Sequence, residues 1–412
     1  MDVLAAIAAV VSLSVPHRAN ATPTVAADEA FVVVAWAAAD AGGATDVFAA
    51  VSHDAARTFG TPVRVNSAPG EVRANGEQPP RVVLSRRGSP GAARVITIVW
   101  AAKGSRGTKL VAAQSLDSGK SFRPAATLPD TDAAGSRGWH NVAADATGRV
   151  FTIWLDHRAL ARDAAASHRE HEAGGHDGVT MAQKSKLYIQ SLDGAVVSRA
   201  VTQGVCYCCK TALAVDARGV LHAAWRHVYP GNFRDIAYAR SGDGGLTFSP
   251  PVRISDDNWM LDGCPDDGPA LAVDRDGRVH AVWPTLVDGG GEPTIALFYA
   301  TSTQGAFSQR VQLPTQGVAH HPQITLAGDG SLLAAWDESS PGRRRVVIAR
   351  AAAEPPRGRS STADPSFVRH VISDDASAMY PALAESTTVT VVVWTARRGV
   401  QSTIAVSRVE ID

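Results

Sequence analysis

Apolar residues fall in short runs, alternating or unbroken, divided by polar stretches rich in turn formers. A tryptophan closes run after run: Trp36, Trp100, Trp154, Trp225, Trp283, Trp336 and Trp394. Ahead of most of them lies one phrase. Ala-Leu-Ala-Val-Asp-Ala-Arg-Gly-Val-Leu-His-Ala-Ala-Trp at 212–225 matches Ala-Leu-Ala-Val-Asp-Arg-Asp-Gly-Arg-Val-His-Ala-Val-Trp at 270–283, and 142–154, 324–336 and 25–36 are looser copies. Each copy reads as a strand, a tight Asp/Gly turn and a second strand ending at Trp. A variable loop and a third strand follow. A second phrase comes next, Ser241-Gly-Asp-Gly-Gly-Leu-Thr-Phe248 in its fullest form, with Ser115–Phe122 close to it, Ser52–Phe59 degenerate and Ser191–Gly194 a fragment. A fourth strand completes the unit.

Four strands recurring at this interval predict an all-β chain, a β-propeller of four-stranded antiparallel blades. The tryptophans favour seven blades, with six as the alternative if one unit is merged. The last unit, from Pro381, supplies only three strands, while Val10 to Val15 holds one strand's worth of spare apolar residues. The expected arrangement is a single propeller domain over 21–412, its ring closed by a strand from the N-terminal segment 1–20. Residues 2–15 also read as the remnant of a signal peptide, although Asp2 has the wrong sign for its start.

Composition narrows the function classes. Lys plus Arg equals Asp plus Glu at 40 each in 412 residues. This balance argues against a general grip on nucleic acid or an anionic membrane, and no window is long and apolar enough to span a bilayer.

The Ser-x-Asp-x-Gly-x-Thr-Phe phrase matches the Asp-box. Asp-boxes on a multi-blade propeller resemble the sialidase (neuraminidase) superfamily and its BNR-repeat relatives, over nearly the whole chain. The resemblance implies an extracytoplasmic protein, periplasmic or secreted, that meets a carbohydrate or other small anionic ligand, and a monomer. If it is an enzyme, the resemblance implies a sialidase-like glycoside hydrolase. Members of that superfamily use three arginines for the substrate carboxylate, a Tyr–Glu nucleophile pair and an Asp acid/base. Arg158, Arg226 and Arg234 are the arginines available for that role, and Tyr380 is placed somewhat like the nucleophile. The family's early Arg-Ile-Pro motif is absent, and no Glu pairs recognisably with Tyr380.

Strand parity sorts the loops. In a four-stranded meander the Asp/Gly turns and the Asp-box turns share one face. The opposite face receives the loops leading into strand 1 and out of strand 2. Those carry Arg137–His140, Cys206–Lys210, Asp262–Asp267, His320-His321, Met379-Tyr380, Asp156-His157-Arg158, Arg226-His227, Pro284-Thr285 and Asp337-Glu338. Scaffold phrases and reactive residue types therefore separate onto two faces. Asp156, Asp266, Asp267 and Glu338 are the acid/base candidates. His222 and His280 occupy one repeat position and read as framework. Trp139 and Trp259 lie off the repeat, available for packing or for stacking on a sugar.

The four cysteines, Cys206, Cys208, Cys209 and Cys264, lie on loops of adjacent units. Three readings stay open: two disulfides pinning the loops, a soft-metal site for copper or zinc with His157, His227 or His140 nearby, or a reactive thiol beside Lys210 and Arg226. His168, His171 and His176 in the long loop of the third unit read as a solvated segment or a metal-binding lid. Three functions follow: a sialidase-like glycan-processing enzyme, a Cys/His metal-binding protein on the same scaffold, or a binding module without turnover.

Overall fold

A computed structural model describes residues 10–86, 93–161, 178–261, 265–287, 293–303, 305–352, 365–373 and 377–409. The expectations for residues 2–9, for Cys264 and for the histidines of 167–177 lie outside these residues. Short antiparallel strands make up nearly all the regular structure, with a short helix α1 (Gly178–Lys184) before the third strand of the third unit.

The strands gather into successive antiparallel sheets. β2 (Ala19–Asp28), β3 (Phe31–Ala39), β4 (Thr45–Ser52) and β5 (Val63–Arg64) form one. β6 (Arg81–Arg86), β7 (Arg94–Lys103), β8 (Thr108–Ser115) and β9 (Ala126–Thr127) form the next. β10 (Arg137–Ala144), β11 (Val150–Asp156), β12 (Lys186–Ser191) and β13 (Arg199–Gln203) follow, then β14 (Ala212–Val215), β15 (Leu221–Arg226), β16 (Ile236–Ser241) and β17 (Val252–Arg253). In the fifth sheet β18 (Ala270–Val273), β19 (Val279–Val287) and β20 (Thr294–Thr303) are flanked by β21 (Ala306–Phe307) and β22 (Val311–Gln312), both paired with β20. β23 (Val318–Leu326), β24 (Leu332–Ser340), β25 (Arg343–Ala351) and β26 (Val368–Val371) precede β27 (Ser377–Glu385), β28 (Thr390–Arg398) and β29 (Gln401–Val409), and a parallel pairing of Arg344 on β25 with Ser377 on β27 joins the two groups. The outer strand against β29 is β1 (Val11–Leu13), with Val11 opposite Val406 and Leu13 opposite Ile404. The spare apolar run at the N-terminus is thus used as a strand.

The repeated tryptophans explain why the sheets stack. Each sits on the second strand of its sheet and is buried. Trp100 packs with Val33 and Ala49 of the sheet before it, Trp225 with Ile153 and Leu187, and Trp336 with Val282 and Tyr299. Trp36 packs with Ala384 and Val393, which belong to the last sheet. Removing such a buried indole costs about 3–5 kcal/mol.

The Ser-x-Asp phrases build one turn repeatedly. Ser52, Ser115, Ser191 and Ser241 each donate a hydroxyl to the Asp two residues on, at 2.8, 2.7, 2.6 and 2.7 Å. In three copies that Asp also accepts from the backbone N–H four residues later, at Thr58, Ser121 and Thr247. These carboxylates satisfy turn amides, and Asp193 also accepts from Arg149 at 2.9 Å. His222 and His280 likewise make one contact twice, to the Tyr238 and Tyr299 hydroxyls at 2.7 and 2.8 Å.

The first strands of the sheets lie side by side: β2 against β6, β6 against β10, and so on through β14, β18, β23 and β27, which returns to β2. Between them runs a channel of about 200 Å³. Each first strand lends it a neighbouring pair: Thr24-Val25, Arg81-Val82, Asn141-Val142, Ala212-Leu213, Ala270-Leu271, Gln323-Ile324 and Ala382-Leu383. This repeat position defines the site.

Candidate functional site

Two residues ahead of each channel pair stand Thr22, Pro79, Trp139, Lys210, Gly268, His321 and Tyr380. They form one structural position, the rim of the channel. Where a bulge interrupts the pairing of a first strand with its neighbour, the rim residue sits in the left-handed region. Thr22, Trp139, His321 and Tyr380 have φ of 53°, 52°, 54° and 57°. The bulge breaks the pleat and turns the side chain out of the ladder.

Lys210 is the centre of the rim's charged network. Its Nζ donates to the Pro322 carbonyl at 3.1 Å and stands 3.9 Å from both the Glu77 and the Asp267 carboxylates. Its backbone N–H donates to Glu77 Oε2 at 2.8 Å. All three side chains are buried. Burial, with Asp267 adding to it and Lys210 opposing it, pushes the Glu77 carboxyl up to about 7. Asp267 moves the other way. Burial would raise it, but the His320 hydrogen bond at 3.1 Å and the charges of His321 and Lys210 hold it down at about 2. The His321 backbone N–H also donates to Asp267, at 3.0 Å.

His321 links this network to Tyr380. Its Nδ1 donates to Asp337 Oδ1 at 2.6 Å, and Arg344 donates to the other oxygen of Asp337. Burial alone would lower the His321 pKa; Asp337, Asp267 and Glu77 outweigh it, and the value rises. The Tyr380 ring meets the His321 ring edge-on at 4.6 Å, with the Arg344 guanidinium 5.7 Å from the ring centre. Burial raises the Tyr380 pKa, so its hydroxyl is protonated at neutral pH. Gly76 leaves room for that ring: a Cβ there would collide with it. Asp266, exposed at φ 49°, lies within electrostatic reach of both His321 and Tyr380, and desolvation raises its pKa. Arg397, also exposed, lies within electrostatic reach of Tyr380.

Of the residues singled out in the sequence, Asp266, Asp267 and Tyr380 therefore meet at the rim. Asp156, Arg158, Arg226 and Arg234 are used elsewhere. Asp156 and His227 stand two residues after their tryptophans and accept the indole N–H, at 3.1 and 3.4 Å; Glu338 does the same for Trp336 at 3.1 Å. Asp156 is further enclosed by Arg137 and Arg158, at 3.2 and 2.7 Å. Arg158 spends its remaining donors on Asp130. Arg226 is buried with its guanidinium on three backbone carbonyls, of Asp267, Arg234 and Pro284, at 3.2, 2.6 and 2.8 Å, and lies over the Trp259 ring. Arg234 is buried on the Leu261 carbonyl and on Cys206 Sγ at 3.3 Å. These arginines brace loops, bonded to carboxylates, carbonyls and a sulfur of their own surroundings. Glu77, Arg344 and Arg397 belong to the site although sequence reasoning passed over them.

The cysteine loop sits beside the rim. Cys206, Cys208 and Cys209 are buried with their sulfurs close together, and no histidine joins that group among the described residues. His157 packs instead on Trp139 at 5.3 Å, and His227 on Tyr229 at 4.6 Å. Cys208 is disulfide-bonded, with its partner outside the described residues; Cys206 and Cys209 are free thiols. Hydrogen bonding from Cys209, against the effect of burial and with help from Arg234 and Arg226, brings the Cys206 thiol down to about 6; burial pushes Cys209 up.

No model of a known protein family matches the sequence, and no curated protein matches it. Solved structures do match in fold. A protein of unknown function from Dyadobacter fermentans superposes with a TM-score of 0.55 at 15% identity, covering 98% of this chain and 99% of that one. A polysaccharide lyase, an ulvan lyase bound to -[GlcA(1-4)Rha3S]-, superposes with a TM-score of 0.56 at 10% identity over 95% and 94%. The leech intramolecular trans-sialidase does so with a TM-score of 0.50 at 11% identity over 88% and 79%. At these identities the likeness is one of fold: this is a propeller-like chain of antiparallel sheets.

Proposed function

We propose that the chain is a glycan-processing enzyme for acidic saccharides, with its site on the channel rim at Asp266, His321 and Tyr380. The observation that carries this reading is the contact of Tyr380 with His321, flanked by Arg344, Arg397 and Asp266. Arg344 and Arg397 offer cationic partners to a sugar carboxylate or sulfate. Tyr380, protonated and packed against His321, donates its proton to the leaving oxygen. Asp266 takes a proton from the attacking water. The acidic saccharides in the lyase and trans-sialidase neighbours support the substrate class.

The same reading takes the sheets as seven blades, closed by β1 against β29, in one monomeric domain over 21–412. It places the protein outside the cytoplasm, periplasmic or secreted, and the Cys208 disulfide supports that compartment.

The test is turnover on a panel of sialosides and uronic-acid polymers, read as released reducing ends. Wild type should cleave at least one acidic class and none of the neutral ones. Tyr380→Phe and Asp266→Asn should each lose about 100-fold or more. No cleavage of any acidic glycan, or full activity in both variants, refutes the assignment.

A further inference from the structure

The channel between the first strands takes no part in the proposed glycan chemistry, yet it holds cations that the acceptors around it do not satisfy. Arg81, the first residue of β6, and Lys210, two residues ahead of β14, both line it. Arg81 Nε donates to the His140 carbonyl at 3.3 Å, and its two terminal nitrogens have no hydrogen-bond partner among the described residues. Burial lowers Arg81 only to about 10, so it stays a cation at neutral pH. Lys210 Nζ spends one proton on the Pro322 carbonyl. The Gln323 side chain, on β23, also lines the channel, and its amide has no hydrogen-bond partner among the described residues.

The carboxyl groups near these cations do not balance them. Glu77 keeps its proton up to about pH 7. Asp267 is ionised, and it also accepts from His320 and from the His321 backbone. Asp337 is held by His321 and Arg344. Below pH 7 two cations, Arg81 and Lys210, therefore face one ionised carboxylate. A desolvated cation without a matching charge is costly, and an anion beside it removes that cost.

We propose that the channel is a binding site for one small monovalent anion, chloride, held by Arg81, Lys210 and Gln323. Size and charge choose this class. The channel's 200 Å³ or so falls short of the ~300–1,000 Å³ of pockets for drug-sized ligands, and suits an ion with its waters better than a saccharide. One uncompensated positive charge matches a monovalent anion, whereas sulfate or phosphate would leave negative charge in excess. The donors come from β6, from the loop before β14 and from β23, so the anion ties three sheets together across the channel. Its binding is read directly, without turnover, so the test is independent of the glycan assignment.

The full chain at pH 6, dialysed into sodium gluconate, is titrated with sodium chloride by isothermal calorimetry at constant ionic strength. One chloride should bind per chain. At a hundredfold excess over Kd the melting temperature should rise by about 3 °C. Arg81→Met should weaken binding at least a hundredfold, and Gln323→Leu at least fivefold. Should Arg81→Met fail to fold, crystals of the wild type grown in bromide carry the test: an anomalous-scattering peak should lie in the channel against Arg81. The proposal is overturned by the absence of saturable chloride binding, by bromide crystals with no peak in the channel, by a folded Arg81→Met that binds as wild type does, or by a channel that takes sulfate in preference to chloride.

Discussion

Glu77 should make the molecule less stable as pH rises through neutrality, and Glu77→Gln should abolish that loss. The side chain is 2% exposed, and its carboxyl moves from 4.5 to about 7, chiefly through burial. Between those values the folded chain keeps a proton that the unfolded chain has released. The contribution of Glu77 is therefore fully present below about pH 4.5 and lost as pH rises through 7. A gap of about two and a half pKa units amounts to roughly 3 kcal/mol. For 412 residues the unfolding entropy is about 0.9 kcal/mol per kelvin, so this corresponds to about 3–4 °C in Tm. Gln is the right replacement because its carbonyl can still accept the Lys210 N–H, which lies 2.8 Å from Glu77 Oε2.

The measurement is calorimetric melting of both proteins from pH 4.5 to 8, read as their difference. Subtraction matters because other groups titrate in this window. His157, His222 and His227 are held at about 4 by burial, so they cost stability as pH falls from 6.5 towards 4. Glu385, also raised to about 7, acts in the same direction as Glu77. These are common to both proteins and cancel. The two melting curves should coincide near pH 4.5, and Glu77→Gln should stand about 3–4 °C higher at pH 8. A difference that stays within about 1 °C across the range, or that favours wild type at high pH, refutes the account of the buried network.

Three further outcomes are expected. Gly76→Ala would drive a methyl into the Tyr380 ring; turnover should fall at least tenfold for a stability cost of about 1–3 kcal/mol, and unchanged kcat would show that the position of Tyr380 does not matter. Arg226→Met leaves three buried carbonyls without their donor. It should cost about 3–5 kcal/mol, or about 4–6 °C, yet keep the KM for acidic glycans; a KM raised tenfold in folded protein would return Arg226 to the substrate. Deleting residues 1–14 uncovers the edge of β29 from Ile404 to Val406, and should lower Tm by several degrees and promote aggregation; unchanged melting would remove β1 from the closure of the ring.

The sequence made the scaffold legible because scaffold residues repeat. Trp225 and Trp283 close matching phrases, His222 and His280 sit at one offset within them, and both pairs have matching surroundings in the fold. The site was harder to read because its members do not repeat. Asp156 and His227 have side chains that read as reactive in the sequence, but their offset of two from a tryptophan is the informative feature: it marks the acceptor of the indole N–H. Arg226 and Arg234 follow the same lesson in another form, since a guanidinium on loop carbonyls looks in sequence like a guanidinium waiting for a ligand. Glu77 left a fainter trace. It precedes Pro79-Pro80 in a unit whose phrase is not conserved in form, and only the rim alignment places it beside Lys210. Arg344 and Arg397 lie on third and second strands at the rim side, where no repeat phrase marks them.

The rim also separates strain from function. Left-handed backbone in a non-glycine residue costs about 1–2 kcal/mol, and it is tempting to take such cost as a mark of catalysis. Here Thr22 and Trp139 share the conformation of His321 and Tyr380. Thr22 has no titratable group, and its N–H is simply held by the Thr395 hydroxyl at 2.9 Å. The bulge is therefore a property of the first strand, imposed wherever the ladder must open towards the channel. In these four units it turns the rim side chain out of the ladder in the same way, whatever that side chain is. Chemistry then depends on which residue fills the position and on its neighbours around the ring. His321 and Tyr380 are adjacent there, with Asp266 just ahead of Gly268 in the preceding unit. Thr22 and Pro79 fill the positions that follow Tyr380 around the ring and offer no acid or base. The concentration of reactive groups on one arc, against a backbone conformation that reactive and unreactive positions share, is what distinguishes a site from a repeat.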